Sequence, residues 1–334
     1  MKFHTAILCS WILLSGLQSL ALANDWSTGD PQIDAILSEA GNLQNQGESG
    51  AAAQRAEAAA RIAKERYGED HPIYGTALNL FGSISIAARN FGTAHKALQE
   101  SLDIRSANFG ENSIEVANTL QSLGFLSITQ HRADEAQRHL SKAAEIYEKN
   151  PGGSKYLPQV WHLEATAASQ SADPSVSKQA WRKVIDSLEH QASPDDRDLG
   201  IYIASLENLG TVLSGQGKSR EAIDVYEKAL QLTSAEEAGQ PQLRLTYYRS
   251  VLYRELGMVH EKMGQIGQAR EAYALSWRNA EVASIEGRWV VGSSLTKLAR
   301  LEMDADELKS AEIHLRCALE IREDHPAEGE AKRL

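Results

Sequence analysis

The chain has 334 residues, a formal net charge of −11 and two cysteines. Its 45 acidic residues outnumber 34 basic ones, which argues against nucleic acid or anionic membranes as partners, because both attract basic patches. Abundant Ala, Leu, Glu and Gln, with only eight prolines, favour an all-α fold.

The first 23 residues have the features of a signal peptide. Lys2 precedes an apolar stretch at 6–20, and Ala21, Leu22 and Ala23 form the small-x-small pattern that signal peptidase accepts. We expect cleavage after Ala23, which leaves an exported protein that is periplasmic or secreted and begins at Asn24. The alternative is an uncleaved anchor, which is disfavoured because the stretch is shorter than the about 20 residues that span a bilayer. No second long apolar segment follows, so we expect no membrane insertion of the mature chain.

Removal of the signal peptide would take Cys9 with it and leave Cys317 as the one remaining cysteine. An exported mature chain therefore has no possible internal disulfide. We interpret Cys317 as a partly buried thiol, and pairing between two chains is the alternative.

The stretch Arg-Tyr-Gly-Glu-Asp-His-Pro at 66–72 is interpreted as a junction between helices. Gly68 suits the residue that ends a helix, Asp70 suits an N-cap, and Pro72 suits the following first turn. A metal or catalytic site is disfavoured, because the adjacent side chains of residues 69–71 diverge in an extended turn.

One spacing recurs five times along the chain: a small residue, a second small residue 12 positions on, and a third after 7 more. The five sets are Gly82/Ala94/Ser101, Gly124/Ala136/Ala143, Gly210/Ala222/Ala229, Gly257/Ala269/Ser276 and Ala299/Ala311/Ala318. We call the first member of each set its landmark. Large residues lie four positions and one position before each landmark, and another lies sixteen positions after it. The pattern predicts helical hairpins, in which small residues allow two helix axes to approach to about 8–10 Å. Gly217 and Gly264, seven after their landmarks, are predicted to lie in the turns.

This pattern resembles the tetratricopeptide repeat, and the 42-residue period with Tyr-Gly-x-x-His-Pro is similar to the repeats of kinesin light chains. The resemblance implies an all-α, right-handed superhelical solenoid of about six to seven antiparallel hairpins over residues 33–322. The predicted repeats lie near 33–66, 73–107, 114–149, 156–190, 199–233, 246–283 and 289–322. Residues 24–32 are interpreted as a linker, and 323–334 as a tail or partial cap.

The sequence lacks a recognisable catalytic apparatus. His260 and Glu261 begin like a zinc-protease helix, but the second His is missing. The histidines do not lie near Cys or carboxylate residues at the sequence spacings typical of metal sites. No phosphate-binding glycine loop or nucleophile motif is present. We therefore expect a protein that is not an enzyme, with no metal and no cofactor. Trp161, Trp181, Trp277 and Trp289 are interpreted as packing residues between helices.

By the resemblance, the first helix of each hairpin lines a concave groove. The binding residues that this implies are Asn79, Ser83, Asn118, Gln121, Phe125, Glu207, Thr211, Arg254, Met258 and Arg300. Amide and hydroxyl groups in the early repeats suit hydrogen bonds to an extended peptide, and the charged groups of later repeats select charge. We expect these side chains to be exposed, so that replacing them leaves stability unchanged. The family's carboxylate clamp of paired Lys and Asn is not matched.

These observations favour a protein-protein interaction scaffold or adaptor that binds a peptide or protein segment in its groove. One alternative is a regulatory or enzymatic subunit that binds a small molecule there. Another is an assembly factor that self-associates. The identity of the partner, the oligomeric state and the choice between the concave and convex faces stay open.

Overall fold

The computed structural model describes residues 27–171, 173–189, 195–234, 243–280 and 287–323. Regular structure in these ranges is helical, without strands, which confirms the all-α prediction. The helices are α1 Pro31–Asn45, α2 Ser49–Tyr67, α3 Pro72–Ala87, α4 Phe91–Phe109, α5 Ile114–Thr129, α6 Ala133–Lys149, α7 Leu157–Ser169, α8 Pro174–Glu189, α9 Asp196–Gly215, α10 Ser219–Ser234, α11 Leu243–Lys262, α12 Ile266–Ala280, α13 Gly287–Asp304 and α14 Leu308–Glu323, with a 3-10 turn Ser154–Tyr156 before α7. The predicted cleavage site and residues 324–334 lie outside the described residues.

The chain divides into two compact units, residues 1–190 and 191–334. Unit 1 contains α1–α8 and unit 2 contains α9–α14. Within each unit, consecutive helices pair as hairpins, and the second helix of one hairpin packs on the first helix of the next. This arrangement is an all-α solenoid of helical repeats. Its right-handedness stays a prediction.

The landmark glycines lie where the two helices of a hairpin touch. A Cβ atom placed on Gly82 would be 2.6 Å from Cγ of Leu98, and one on Gly210 would be 2.7 Å from Cζ of Tyr226. Leu98 and Tyr226 are the residues sixteen after these landmarks, and both are fully buried. The spacing of 16 therefore joins a glycine to the large side chain that lies directly on its backbone.

The position seven after each landmark has a left-handed backbone in every hairpin whose turn is described. Its φ angles lie between 58° and 83° at Gly47, Arg89, His131, Gly217, Gly264 and Asp306. The turns predicted at Gly217 and Gly264 are confirmed, and three further repeats place a non-glycine residue there. Gly47 follows Ala40 by the same seven residues, so α1 and α2 form a hairpin on the same spacing.

The helix junction at 66–72 is present, with one correction. Gly68 ends α2 with a φ of +94°, and Pro72 is the first residue of α3. The N-cap of α3 is His71, whose Nδ1 accepts a hydrogen bond from the Ile73 backbone N–H at 3.2 Å. The assignment of Asp70 was wrong because a proline in the first helical position makes the residue directly before it the cap.

Helix α1 begins at Pro31, inside the segment interpreted as a linker. Asp30 caps it, accepting hydrogen bonds from the backbone N–H groups of Gln32 and Ile33. The Tyr67 hydroxyl also donates to Asp30, at 2.8 Å, and Arg66 pairs with the same carboxylate. The hydrogen bond from Tyr67, ahead of that from Arg66, lowers the pKa of Asp30 to about 2 against the opposing effect of burial. The end of α2 thus fastens the start of α1.

Cys317 is half-buried on α14 and packs against a cluster that contains Val291 and Leu295. Trp181 is fully buried, as expected of a packing residue, whereas Trp289 is 53% exposed and packs with one side of its ring against Arg254 of α11. No helix within the described ranges combines the length and apolar character that crossing a membrane requires.

Candidate functional site: the inner faces of the first helices

The first helices of successive hairpins contact one another directly. In unit 1, α3 contacts α1 and α5; in unit 2, α11 contacts α9 and α13, whereas the second helices α10 and α12 make at most marginal contact. First helices therefore form the inner layer of each unit. We call the side that carries the candidate residues the inner face, and we treat the two units separately.

The inner face of unit 1 is more closed than the sequence suggested. Asn79, Ser83 and Gln121 are buried, and Phe125 is fully buried within the core, while Asn118 is half-buried. The expectation that these side chains are exposed was wrong for the first four. Neighbouring first helices approach closely enough for Ser83 Oγ to lie 3.2 Å from Ser122 Oγ of the next hairpin.

Two polar candidates of unit 1 are held by a residue that the sequence analysis did not select. The buried Tyr147 hydroxyl, at the end of α6, donates to Asn118 Oδ1 at 2.6 Å and lies 3.2 Å from Gln121 Oε1. Burial, with a smaller contribution from Tyr156, raises the pKa of Tyr147 well above its usual value. Tyr147 therefore stays a neutral donor that fixes both amide groups.

Arg105, at the equivalent position of α4, is a second missed residue. Its guanidinium donates to the Glu115 carbonyl and to Thr119 Oγ1, both at 2.9 Å, and to Thr76 Oγ1 at 3.2 Å. Burial lowers the pKa of Arg105 to about 10. One signal in the sequence could have identified these two residues. Arg105 and Tyr147 are both polar, lie near the ends of second helices and are separated by 42 residues, the period of the repeat.

Asn79 has unused hydrogen-bonding capacity. Its side-chain oxygen is buried and has no hydrogen-bond partner among the described residues. Most buried polar groups in proteins are hydrogen-bonded. The side-chain oxygen of Asn79 is therefore an unsatisfied hydrogen-bond acceptor at the inner face of unit 1.

The inner face of unit 2 contains a buried ion pair. Arg254 and Glu255 are only 5% and 7% exposed, and they pair at 2.5 Å. The Arg254 guanidinium also lies 5.0 Å from the ring centroid of Trp289 on α13, an attractive cation–π geometry. The expected exposure of Arg254 was wrong, because the ion pair with Glu255 and the indole ring hold the guanidinium inside the layer.

Glu207 on α9 faces this ion pair. Its side chain is half-buried, and its carboxyl group has no hydrogen bond or ion pair within the described part of the chain. Burial, followed by the negative charge of Glu255 and opposed by Arg254, raises the pKa of Glu207 to about 8. The carboxyl group is therefore mostly protonated at pH 7.

The other three candidates of unit 2 differ in how much capacity they leave for a ligand. Thr211 is half-buried, with its hydroxyl 3.1 Å from the Tyr226 hydroxyl. Met258 is half-buried against the core. Arg300 is exposed and forms an ion pair with Glu261 of the neighbouring first helix.

A metal centre does not emerge from the described residues. No group of three or more His, Cys, Asp or Glu side chains in these ranges is placed to hold an ion. The polar groups of the inner faces are instead amides, hydroxyls, two ion pairs and the carboxyl group of Glu207, which suit hydrogen bonding and charge pairing.

These hairpins, joined on one spacing with a polar inner layer, define a helical-repeat protein. Two family models, each described as a tetratricopeptide repeat, match residues 82–149 and 203–235. The chain therefore contains tetratricopeptide repeats, as its residue spacing predicted.

Solved structures show the same fold. The TPR-like repeats of a Podosopora anserina kinesin light chain are 14% identical, with a TM-score of 0.51 over 61% of this chain and 95% of theirs. The apo quorum sensor NprR from B. thuringiensis is 12% identical, with a TM-score of 0.56 over 86% of each chain. NprR in complex with its cognate peptide NprX is 12% identical, with a TM-score of 0.50 over 91% of this chain and 88% of that one. No curated protein matches the chain in sequence.

Proposed function

We propose that this protein is a non-enzymatic scaffold or adaptor that binds a peptide or protein segment along the inner faces of its first helices. The observation that carries the proposal is the presence of unpartnered polar groups there, the Asn79 carboxamide in unit 1 and the Glu207 carboxyl in unit 2. A polar group removed from water without a partner costs free energy, and a ligand that supplies the partner recovers it. NprR, which has the same fold, has been solved with a bound peptide.

The dimensions of the repeat suit an extended segment. Packed helical layers are about 10 Å apart, and an extended chain covers that distance in about three residues. One extended peptide segment can therefore contact successive hairpins about every three residues. Several such contacts, each weak alone, together strengthen binding.

Export is a separate part of the proposal, supported by the signal-peptide pattern of residues 1–23. Intact-mass measurement of protein purified from its native host tests it. The expected mass is that of a chain beginning at Asn24. Retention of Met1 together with the apolar stretch would refute cleavage.

Site-specific photo-crosslinking in the native host tests the binding face. We expect a photoreactive residue in place of Met258, on the inner face, to capture one reproducible partner that is identified by mass spectrometry. The matched control replaces Glu227, an exposed residue of α10 in the same unit. Equal capture at both positions, or capture at Glu227 alone, would contradict binding along the inner face.

A further inference from the structure

The unit 2 inner face contains one ionisable group without a partner. Glu255 and Arg254 neutralise each other at 2.5 Å, and Arg300 pairs with Glu261, which leaves the Glu207 carboxyl without a counter-ion among the described residues. Tyr226, the titratable group that faces it from α10, is fully buried with its hydroxyl next to Thr211. Burial, with Glu255 as the next cause, raises the pKa of Tyr226, so its hydroxyl stays neutral and adds no charge beside Glu207.

Arg254 is not available to pair with Glu207 instead. Its guanidinium is held by the carboxylate of Glu255 and by stacking on Trp289. Moving Arg254 from Glu255 to Glu207 would leave the more deeply buried carboxylate of Glu255 unpaired in place of Glu207, which is more costly than the present arrangement. The carboxyl group of Glu207 therefore has no cationic partner among the described residues, and a bound ligand would have to supply one.

The geometry points to a lysine side chain of the bound segment as the group that pairs with Glu207. This inference rests on the proposed function and specifies the chemistry of the partner. A lysine carries its charge on a compact ammonium group, and its apolar stem can pass along a partly closed surface while the head reaches a recessed carboxyl. Thr211, one turn further along α9 and half-buried, leaves the approach beside Glu207 uncharged.

The protonation of Glu207 gives this pairing a distinctive pH dependence. With a pKa of about 8 in the free protein, the carboxyl group must lose its proton before it pairs with an ammonium group. Lysine itself stays charged up to a pKa of about 10.4. The ionised fraction of Glu207 rises about 100-fold between pH 6 and pH 9, so affinity should rise by about the factor that the pairing contributes, which is about 10-fold.

Four pools of heptapeptides test the inference, each with mixed residues other than lysine and arginine at the other six positions and amidated at the C-terminus. The first has an acetylated N-terminus and a central lysine, the second a central acetyl-lysine, and the third a central arginine. The fourth has a free N-terminus and a central norleucine. Retention on the immobilised full-length protein is quantified by mass spectrometry at pH 6 and pH 9.

We expect wild-type protein to retain the lysine pool at least about 10-fold over the acetyl-lysine pool at pH 9, since one pairing with a desolvated carboxylate is worth about that factor. Glu207→Gln should abolish the preference and its pH dependence, whereas the control Glu227→Gln should keep both. Because the Glu207 carboxyl is mostly neutral at pH 7, we expect the isosteric Gln variant to keep its circular dichroism spectrum and melting temperature.

Three outcomes would overturn the inference. Equal retention of the lysine and acetyl-lysine pools would refute a cation at this site and leave peptide binding intact. Stronger retention of the arginine pool or the free N-terminus pool would refute lysine as the source of the cation. Retention of no pool would refute peptide binding itself, and the inference with it.

Discussion

Gly210→Ala tests whether the 16-residue spacing joins a glycine to the side chain that covers it. The added Cβ would lie 2.7 Å from Cζ of Tyr226, where ordinary contacts begin at about 3.4 Å. Tyr226 cannot move aside freely, because it is fully buried and its hydroxyl lies 3.1 Å from that of Thr211. Overpacking of this kind costs about 1–3 kcal/mol, against a gain of up to about 1 kcal/mol from the higher helix propensity of alanine.

Gly292→Ala is the matched control, because it lies inside α13 of the same unit and an added Cβ there has no heavy atom within 4 Å. Both variants share the propensity gain, so Gly210→Ala should be less stable than Gly292→Ala by about 2 kcal/mol. Urea unfolding followed by circular dichroism measures this difference. If the two substitutions stabilise the protein equally, Gly210 is not at the helix contact and the reasoning is refuted. In a Tyr226→Ala background the difference should disappear, since the obstructing ring is gone.

Three further predictions follow from buried or strained groups. Burial lowers the pKa of His162 to about 4, so near pH 6.5 the unfolded chain binds a proton that the folded chain does not bind. The free energy of unfolding should therefore fall by about 2 kcal/mol from pH 7 to pH 5. Denaturant titration should find this loss in the wild type and not in His162→Gln. His131→Gly should raise the free energy of unfolding by about 0.5–1 kcal/mol, because a left-handed conformation strains a side-chain residue more than glycine; an unchanged urea midpoint would contradict it. Arg254→Ala should cost about 3–5 kcal/mol by leaving Glu255 buried and unpaired; a double variant that also carries Glu255→Ala should be more stable than Arg254→Ala, and the opposite order would contradict the ion-pair argument.

The sequence predicted the hairpins because their determinants are local. Gly82 and Leu98 lie in contact on the two helices of one hairpin, and their spacing of 16 residues can be read from the sequence once the repeat is recognised. The same local logic predicted the left-handed turns at Gly217 and Gly264. It did not reveal that Arg89 and His131 adopt the same conformation, since neither residue type marks a left-handed position as clearly as glycine does.

The sequence predicted which residues lie on the inner faces, but it did not predict how buried those residues are or what they contact. Whether Gln121 is exposed depends on how closely neighbouring first helices pack, and the repeat spacing within one hairpin does not contain that distance. Arg105 and Tyr147 were missed for the same reason, because they reach the inner layer from second helices through contacts between hairpins. The raised pKa of Glu207 likewise depends on burial beside Glu255, which lies 48 residues away in sequence.

The order in which the helices touch also bears on how the chain folds. Substantial contacts among the described helices join neighbours in sequence or helices separated by one other, as in α9 with α10 and α9 with α11. Such a protein has a low contact order, so no distant segments have to find each other before stabilising contacts form. Folding can begin at any hairpin and spread to the next. Each unit can therefore gain structure stepwise as its hairpins are completed, without waiting for the end of the chain.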